Sequence, residues 1–239
     1  MPTKNLDAID VTVDRSSETD APIGAESITS RTYARLKHDI IAGKLTPGLK
    51  LKIESLRRDY DVGTSPIREA LSLLTSDHLV ERIDQRGFRV ADVSDAEFSE
   101  LLRTRCWLEE RALRESMGNA TPEWEERVVL ASYRLSRIPR SDSATHFVAN
   151  DSWEGAHRHF HMTLISECGS SILLRFCGQL YDQNIRYRQI SGASAYPKRN
   201  IVAEHDAIRD AVLSGHADLA CKLLIDHYTQ TGKFVSFAL

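Results

Sequence analysis

The stretch of sequence that decides the fold reads Val62-Gly-Thr-Ser-Pro-Ile-Arg-Glu-Ala-Leu71. Ser65 is placed to cap a helix that starts at Pro66, because a serine oxygen accepts a bond from a free N–H at a helix start and proline is tolerated in the first position. Beyond Pro66, apolar residues recur at i, i+3, i+4 and i+7, namely Ile67, Ala70, Leu71 and Leu74. The pattern predicts a helix that buries one stripe and leaves Arg68 and Ser72 facing outward.

Two shorter helices precede this stretch and a hairpin follows it. Apolar residues at helical spacing predict a helix that stops near Gly43 and a second one after the Pro47-Gly48 turn; they are Tyr33, Leu36 and Ile40, then Ile53, Leu56 and Tyr60. Residues 80–83 and 88–90 carry apolar side chains at alternate positions, with Asp84-Gln-Arg-Gly87 as the turn between them. Three helices followed by a hairpin is the order of a winged helix-turn-helix, which binds double-stranded DNA.

The DNA-contacting residues of such a unit come from the start of the third helix and from the wing. We therefore predict contacts from a set of basic, hydroxyl and turn residues: Arg57, Thr64, Ser65, Arg68, Arg86 and Gly87. Arg86 and Gly87 form the tip of the hairpin, where a side chain can enter a minor groove. The alternative for Arg68 is a surface ion pair with an acid such as Asp61.

The charge of the chain is distributed unevenly along its length. The formal net charge of the 239 residues is −3, but residues 30–94 hold 12 basic against 9 acidic residues, whereas residues 1–29 hold 2 against 6. The one positive segment is the predicted DNA-binding one, and local field rather than total charge attracts phosphate. Residues 1–28 are acidic and lack any period, which predicts a disordered tail.

The overall composition is that of an ordinary soluble globular protein. No stretch is apolar enough to span a bilayer, and the N-terminus lacks the pattern of a signal peptide. We therefore expect a cytoplasmic protein without membrane contact. The cysteines show no Cys-x-x-Cys spacing, which predicts free thiols in a reduced compartment; they are Cys106, Cys168, Cys177 and Cys221.

The rest of the chain predicts helices only. Ser94 and Glu97 have the spacing of a capping box and open a helix that runs to about residue 117. Further helices are predicted over about 122–137, 144–168, 171–190, 198–213 and 217–235. The predicted fold class is thus mainly α, with a winged helix-turn-helix over 29–92 and an all-helical bundle over 93–239.

Several motifs occur in a fixed order over roughly residues 30–235. They are Pro66-Ile-Arg-Glu-Ala-Leu71, Leu79-Val80, Arg86-Gly-Phe-Arg-Val90, Arg105-Cys-Trp-Leu-Glu109, His157-x-x-Phe160-His161, Glu204-His205, Ala211-Val-Leu-Ser-Gly-His216 and His227. With them the chain resembles the GntR family of bacterial transcription regulators, in its FadR-like branch with an FCD effector domain, and especially members that respond to small dicarboxylates. One departure is Asp61-Val-Gly-Thr-Ser65, where many relatives carry Gly-Val-Ser-Arg. An arginine that often contacts guanine is therefore missing.

Four histidines form a candidate metal site. His157 and His161 lie four apart, so they project from one helix face, and His205 and His227 lie on two later helices. The resemblance implies the same four positions, although the family usually has Asp where this chain has His157. An all-imidazole set favours Zn, with Ni or Co as alternatives, over Mg or Ca. The alternative is a set of hydrogen-bonded core histidines; His159 is expected to face solvent.

The resemblance also implies an effector site next to the metal. Arg105 matches the family's arginine on the first effector-domain helix, and Arg186-Tyr-Arg188 looks like the Arg-Tyr-Arg of dicarboxylate-responsive members. The predicted effector-binding residues are Arg105, Tyr187 and Arg188, because a guanidinium binds a carboxylate in bidentate geometry. Residues two apart do not share a helix face, so one of Arg186 and Arg188 is expected on the surface. The alternative for Arg105 is an ion pair with Glu109.

Together these features predict a homodimeric DNA-binding regulator, with a repressor as the default. Its affinity for a palindromic operator is expected to depend on a small carboxylic acid bound at a metal-containing site in the helical domain. One alternative is a constitutive DNA-binding dimer without an effector. The other is a metal-dependent hydrolase, which the sequence disfavours because no glutamate directly follows the first histidine of the pair.

Overall fold

Residues 27–84 and 86–234 are described by the structure, which is a computed structural model. The elements of the N-terminal part are α1 (Ile28–Ile41), β1 (Lys50–Leu51), α2 (Ile53–Tyr60), α3 (Thr64–Ser76), β2 (Val80–Ile83) and β3 (Gly87–Val90). Those of the C-terminal part are α4 (Asp95–Gly118), α5 (Pro122–Ser136), α6 (Asp151–Leu164), α7 (Ser171–Ala195), α8 (Ile201–Leu213) and α9 (Ala217–Gly232). Residues 1–26 of the predicted disordered tail lie outside the described residues.

The N-terminal part is the predicted winged helix-turn-helix. Helix α3 packs on α1, and the predicted apolar stripe of α3 is fully buried. The sheet has the antiparallel order β1-β3-β2, in which Val80 pairs with Val90 and Lys50 with Arg89. Strand β1 was not predicted from the sequence, because two residues are too few to show an alternating pattern.

The start of α3 differs from the prediction. Gly63 is the N-cap residue, in extended conformation, and Thr64 is the first residue of the helix. Ser65 therefore lies inside the first turn, exposed, and makes no capping bond. Pro66 is tolerated in the third position for the same reason as in the first, since backbone N–H groups in the first turn have no partner within the helix.

The C-terminal part is the predicted six-helix bundle. Ser94 caps α4 by accepting the N–H of Glu97 at 3.2 Å, as the capping box predicts. Helix α4 packs on α7 and α9, and α5 packs on α6 and α8. The shared core contains Trp124, Phe160 and Ile208, all nearly inaccessible to solvent. The four cysteines are free thiols, as predicted.

Two predicted helices in this bundle have wrong boundaries: α6 is shorter at both ends than the predicted 144–168, and α7 is longer than the predicted 171–190. Residues 144–150 precede α6 as a loop, in which hydroxyl groups bind nearby backbone N–H groups and so compete with helix formation. Helix α6 begins only after Asn150, whose side chain accepts the N–H of Trp153. Helix α7 continues to Ala195 through Gly192, against which the Phe147 ring packs closely. Tertiary packing thus overrides the helix-breaking tendency of glycine.

The two parts contact each other mainly through α7. The Lys37 ammonium of α1 donates to the Asp182 carboxylate at 2.7 Å, and Arg186 donates to the backbone oxygen of Ala91 at 2.8 Å. The second half of α7 therefore lies between the bundle and the winged domain. Among the described residues, no helix is long and apolar enough to cross a membrane.

Candidate functional site

The four predicted histidines converge at one point inside the bundle. His157 and His161 lie one turn apart on α6, His205 lies on α8 and His227 on α9. One ring nitrogen from each lies within 4.8 Å of the others, and all four side chains are buried. The exposed His159 points away, as predicted from its spacing.

Three of the rings are oriented by hydrogen bonds on their outer nitrogens. Nδ1 of His157 is bonded to the Tyr181 hydroxyl at 2.6 Å, and Nδ1 of His161 to the Tyr228 hydroxyl at 2.9 Å. The Nδ1–H of His227 donates to the Glu204 carboxylate at 2.7 Å. Such outer bonds fix the ring tautomer and leave Nε2 free to bind a metal. The Nε2 atoms of His157 and His161 lie 3.1 Å apart.

His205 supplies an orphaned nitrogen at the same point. Its Nε2 atom is buried and has no hydrogen-bond partner among the described residues. A buried polar atom without a hydrogen-bond partner costs free energy, and folded proteins usually provide such an atom with a partner. The donor set thus fits a metal ion that binds nitrogen.

The histidines are held neutral by their environment. Burial, together with the charges of the neighbouring histidines and arginines, lowers the pKa of His157, His161 and His205 well below the usual value. Burial also lowers the pKa of His227 to about 4, although Glu204 opposes the shift. All four rings are therefore unprotonated at neutral pH, which is the form that binds metal.

A carboxylate and an arginine stand behind each of three histidines. Behind His161, Tyr228 donates to Glu109, which is paired with Arg105; behind His157, Tyr181 donates to Glu154, which is paired with Arg188. Behind His227, Arg199 donates two parallel hydrogen bonds to the carboxylate of Glu204. Sequence reasoning missed the two tyrosines and Arg199, because no local pattern marks them.

Arg105 lies at the histidine cluster and is also ion-paired. Its guanidinium is sandwiched between the rings of Tyr228 and Tyr181, at 3.9 and 4.9 Å from their centroids. It donates to Glu109 and to Asn184, and only its Nη2 atom is left without a hydrogen-bond partner. Arg105 therefore lies near the histidines, as predicted, and also forms the ion pair with Glu109 that was its alternative role.

The structure contradicts two expectations about the Arg186-Tyr-Arg188 segment. Arg186 and Arg188 are both buried, because Arg186 contacts the winged domain and Arg188 contacts α6, so neither lies on the surface. Tyr187, predicted to bind the effector, instead packs on Phe98, with ring centroids 4.9 Å apart, in a separate apolar cluster with Leu101. Of the three predicted effector residues, only Arg105 and Arg188 lie beside the histidines.

A cleft of about 610 Å³ opens beside His205. We call it the α5–α8 cleft, because its walls come from the end of α5, the loop to Arg140, and the segment that leads into α8. Its basic lining residues are Arg137, Arg140, Lys198 and Arg199. Trp153, which stacks on His157 with centroids 4.5 Å apart, also lines it. The cleft therefore joins solvent to the surroundings of the histidine cluster.

The predicted DNA-contacting residues lie on the outer surface of the winged domain. Arg57, Ser65, Arg68, Arg86 and Gly87 are exposed, and Thr64 is half-buried. Arg57 is within 3.4 Å of Glu54. In the part of the chain that the structure describes, Arg68 forms no ion pair, with Asp61 or any other acid.

The third helix and the wing meet at a small groove. Arg68, Gly87 and Arg82 line it together, so the structure places a basic group from β2 next to the helix. Arg82 is exposed and was missed by the sequence analysis, which considered the turn of the hairpin but not the outward face of its first strand.

Comparison with known proteins agrees with this architecture. The family described as "Bacterial regulatory proteins, gntR family" matches residues 28–90, and the FCD domain family matches residues 100–230. An uncharacterized HTH-type transcriptional regulator, BphR of Paraburkholderia xenovorans, is 40% identical over 201 residues, which are 84% of this chain and 82% of that protein. The HTH-type transcriptional repressor GlaR of Escherichia coli is 30% identical over 204 residues, covering 82% of this chain and 90% of that protein.

Solved structures show the same fold. McbR/YncC of Escherichia coli superposes with a TM-score of 0.67 at 20% sequence identity, covering 86% of this chain and 95% of that one. A putative GntR transcriptional regulator from a Rhodococcus species superposes with a TM-score of 0.68 at 21% identity, covering 88% and 98%.

Proposed function

Because the chain belongs to the gntR family of bacterial regulatory proteins and carries an FCD domain, we propose that it is a repressor controlled by a small carboxylic acid at a metal site. That the chain is a DNA-binding transcriptional regulator, and not an enzyme, follows from its family and fold. The observation that carries the proposal is the cluster of four buried, neutral histidines, whose ligand atoms lie within 4.8 Å of one another.

The metal that the donor set favours is Zn, with Ni or Co as alternatives, since imidazole nitrogen suits these ions. His157, His161, His205 and His227 would hold it. The ion would supply a Lewis acid to which a carboxylate oxygen can bind. The tyrosines and glutamate behind the histidines keep the rings in position, and burial keeps them free of protons.

The repressor assignment is supported by the Escherichia coli relative, which is described as a repressor. Because a regulator of bacterial genes binds the chromosome, the protein would act in the cytoplasm. Two copies would form a homodimer with two-fold symmetry and place their α3 helices in successive major grooves of a palindromic operator, about 34–36 Å apart.

The effector would act through contacts between the two domains. Asp182 on α7 accepts from Arg158, next to His157 on α6, at 3.0 Å and from Lys37 of the winged domain at 2.7 Å. A change in the position of α6 would therefore reach the DNA-binding domain through the Asp182 carboxylate, next to the direct contact between Asp151 of α6 and His38 of α1 at 3.6 Å. An effector that binds two arrangements of this contact unequally changes operator affinity by its coupling free energy, typically about 1–3 kcal/mol.

The test combines metal analysis with acid binding. Protein purified without an affinity tag is expected to contain about one metal ion per chain by elemental analysis. A C3 to C6 mono- or dicarboxylic acid should raise its melting temperature, and a chelator should abolish this effect. The same acid should weaken the shift of an operator fragment in a gel.

The matched variants are His161→Ala and His159→Ala. The first removes a cluster residue and should abolish both the metal content and the acid response. The second removes an exposed histidine of the same helix and should change neither. Stoichiometric metal in the purified His161→Ala protein would rule out the ligand assignment, and a wild-type protein without any acid response would be a constitutive DNA binder.

A further inference from the structure

The basic groups around the histidine cluster differ in how well they are paired. Arg105, Arg188 and Arg199 each form an ion pair with a glutamate of their own. Their positive charges are therefore already neutralised inside the protein. A carboxylate ligand that approached one of them would have to displace or share an internal partner.

Arg140 is the exception. No carboxylate lies within ion-pair distance of its guanidinium among residues 27–84 and 86–234, and its buried Nη1 atom has no hydrogen-bond partner. The group lies over the rings of Phe147 and Trp153, at 5.5 and 5.9 Å from their centroids. These aromatic faces hold the guanidinium in place without neutralising it.

The electrostatic surroundings of Arg140 are unfavourable for its charge. Burial, and then the positive charges of Arg199 and Arg188, lower its pKa to about 10. Glu154 and Glu204 act in the opposite direction, but both are engaged by other arginines. The folded protein thus keeps a partly buried cation without a partner, at a cost in free energy that an anion would offset.

Arg140 also has the position that a ligand site needs. It lines the α5–α8 cleft together with His205, whose Nε2 atom has no hydrogen-bond partner either. Two residues that line the same cleft thus each have a nitrogen atom without a hydrogen-bond partner, one in a cationic guanidinium and one in a neutral imidazole. Trp153 lies between Arg140 and the histidine cluster, since it lines the cleft, lies beside Arg140 and stacks on His157.

We propose that Arg140 anchors the carboxylate of the effector in the α5–α8 cleft, whereas Arg105 and Arg188 hold the surroundings of the histidines. This inference rests on the proposed function, in that it assumes a carboxylic acid effector. A planar guanidinium presents two parallel N–H donors to a carboxylate, and the ligand would supply the partner that the protein lacks.

The experiment uses Arg140→Met, which keeps much of the side-chain stem, and Arg137→Met as the matched control. Arg137 is an exposed arginine that lines the same cleft. Metal-loaded wild-type and variant proteins are titrated calorimetrically with matched C3 to C6 mono- and dicarboxylic acids. The dissociation constant of any acid that binds the wild type should rise about 10- to 100-fold in Arg140→Met, as for a lost charged hydrogen bond. The control should change it less than about threefold.

Two further readouts separate a ligand-binding role from a structural one. The metal content of Arg140→Met should equal that of the wild type. Its melting temperature without acid should be unchanged or higher, since the substitution removes an unpaired charge. Arg140→Gln serves as a second variant with the same expectations if the methionine variant does not fold.

The outcomes distinguish this inference from the proposed function. If Arg140 variants bind the acid as tightly as the wild type, Arg140 is not the anchor, and the acid-controlled regulator still stands. If they lose metal or unfold together with acid binding, Arg140 is structural and the inference is wrong. If metal-loaded wild type binds none of the acids, the proposed function fails, and the inference fails with it.

Discussion

At the scale of single residues, the burial of the histidine cluster affects both stability and the proposed metal binding. Each ring is buried and neutral, and each outer nitrogen of His157, His161 and His227 is held by a tyrosine or a glutamate. Hydrogen bonds from His227 and Arg199 outweigh burial and bring the pKa of Glu204 down to about 2, so this carboxylate stays ionised. The same features that prepare the rings for a metal leave the metal-free protein sensitive to acid.

The metal-free protein should lose stability as the pH falls from about 6.5 to about 4. Unfolded histidines take up protons near pH 6.5, whereas the folded pKa values are lowered, that of His227 to about 4. Stability from the neutral rings is complete above pH 6.5 and is lost as the unfolded state gains protons. Calorimetry of protein from which a chelator has removed the metal measures the stability at each pH. His205→Gln should flatten the profile and His159→Gln should not; a flat wild-type profile would mean that the rings are not held neutral.

The second prediction at this scale concerns Arg68. Its side chain is exposed and without an ion pair in the described part of the chain, so Arg68→Ala should leave the helix content unchanged. Operator affinity should fall by about 5- to 150-fold, which corresponds to about 1–3 kcal/mol for a base contact. Gel shifts measure the affinity and circular dichroism the helix content. Arg175→Ala, an exposed arginine on α7, is the control; equal effects of both substitutions would remove Arg68 from the DNA interface.

At the scale of elements, α7 shows how packing decides where a helix ends. Its last turn contains Gly192, where a Cβ atom would lie 2.7 Å from the ring of Phe147. Phe147 belongs to the loop before α6, which the sequence analysis predicted as helix. The loop and the last turn of α7 therefore fit each other, and neither boundary is encoded locally.

Gly192→Ala should destabilise the protein by about 1–3 kcal/mol, because the added methyl group overlaps Phe147 in a packed region. The matched control is Gly155→Ala on α6, where a Cβ atom meets nothing within 4 Å. That substitution should stabilise the protein by up to about 1 kcal/mol through the helix propensity of alanine. Urea denaturation measures both free energies of unfolding, and two changes of the same sign would contradict the packing argument.

At the scale of the whole molecule, several polar contacts join the two domains, and in one of them Asp182 accepts a hydrogen bond from a group on each side. Arg186 adds a bond from α7 to the backbone at the end of the winged domain. Polar contacts of this kind can be exchanged at low cost, which fits the proposal that an effector changes the arrangement of the two domains.

Asp182→Asn should weaken the communication between the acid site and the operator site. The substitution removes the charge that attracts both Lys37 and Arg158, so the change in operator affinity caused by the acid should shrink severalfold, while metal content stays the same. Asp226→Asn is the control, since within residues 27–84 and 86–234 the ion-pair partner of Asp226 is Lys222 on the surface of α9. Operator titrations with and without acid give the coupling. An undiminished acid effect in Asp182→Asn would mean that the signal takes another route.

The sequence by itself determined the features that depend on local spacing. The apolar stripe of α3, the capping box at Ser94 and the hairpin after α3 follow from helical or alternating periods and from capping chemistry. The four histidines were found by their spacing on α6 and by the family resemblance, and the structure brings them together. The distribution of charge along the sequence likewise showed that the winged domain is the basic segment of the chain.

Only the tertiary structure decided which groups around the histidines are paired. Arg188 is neutralised by Glu154, 34 positions away, and Tyr187 turns towards Phe98 rather than the cluster. Arg140 has no distinguishing pattern in the sequence, and its unpaired charge becomes visible only when the cleft around it is formed. The physical reason is that ion pairing and burial depend on distances across the fold, whereas periods and caps depend on residues a few positions apart.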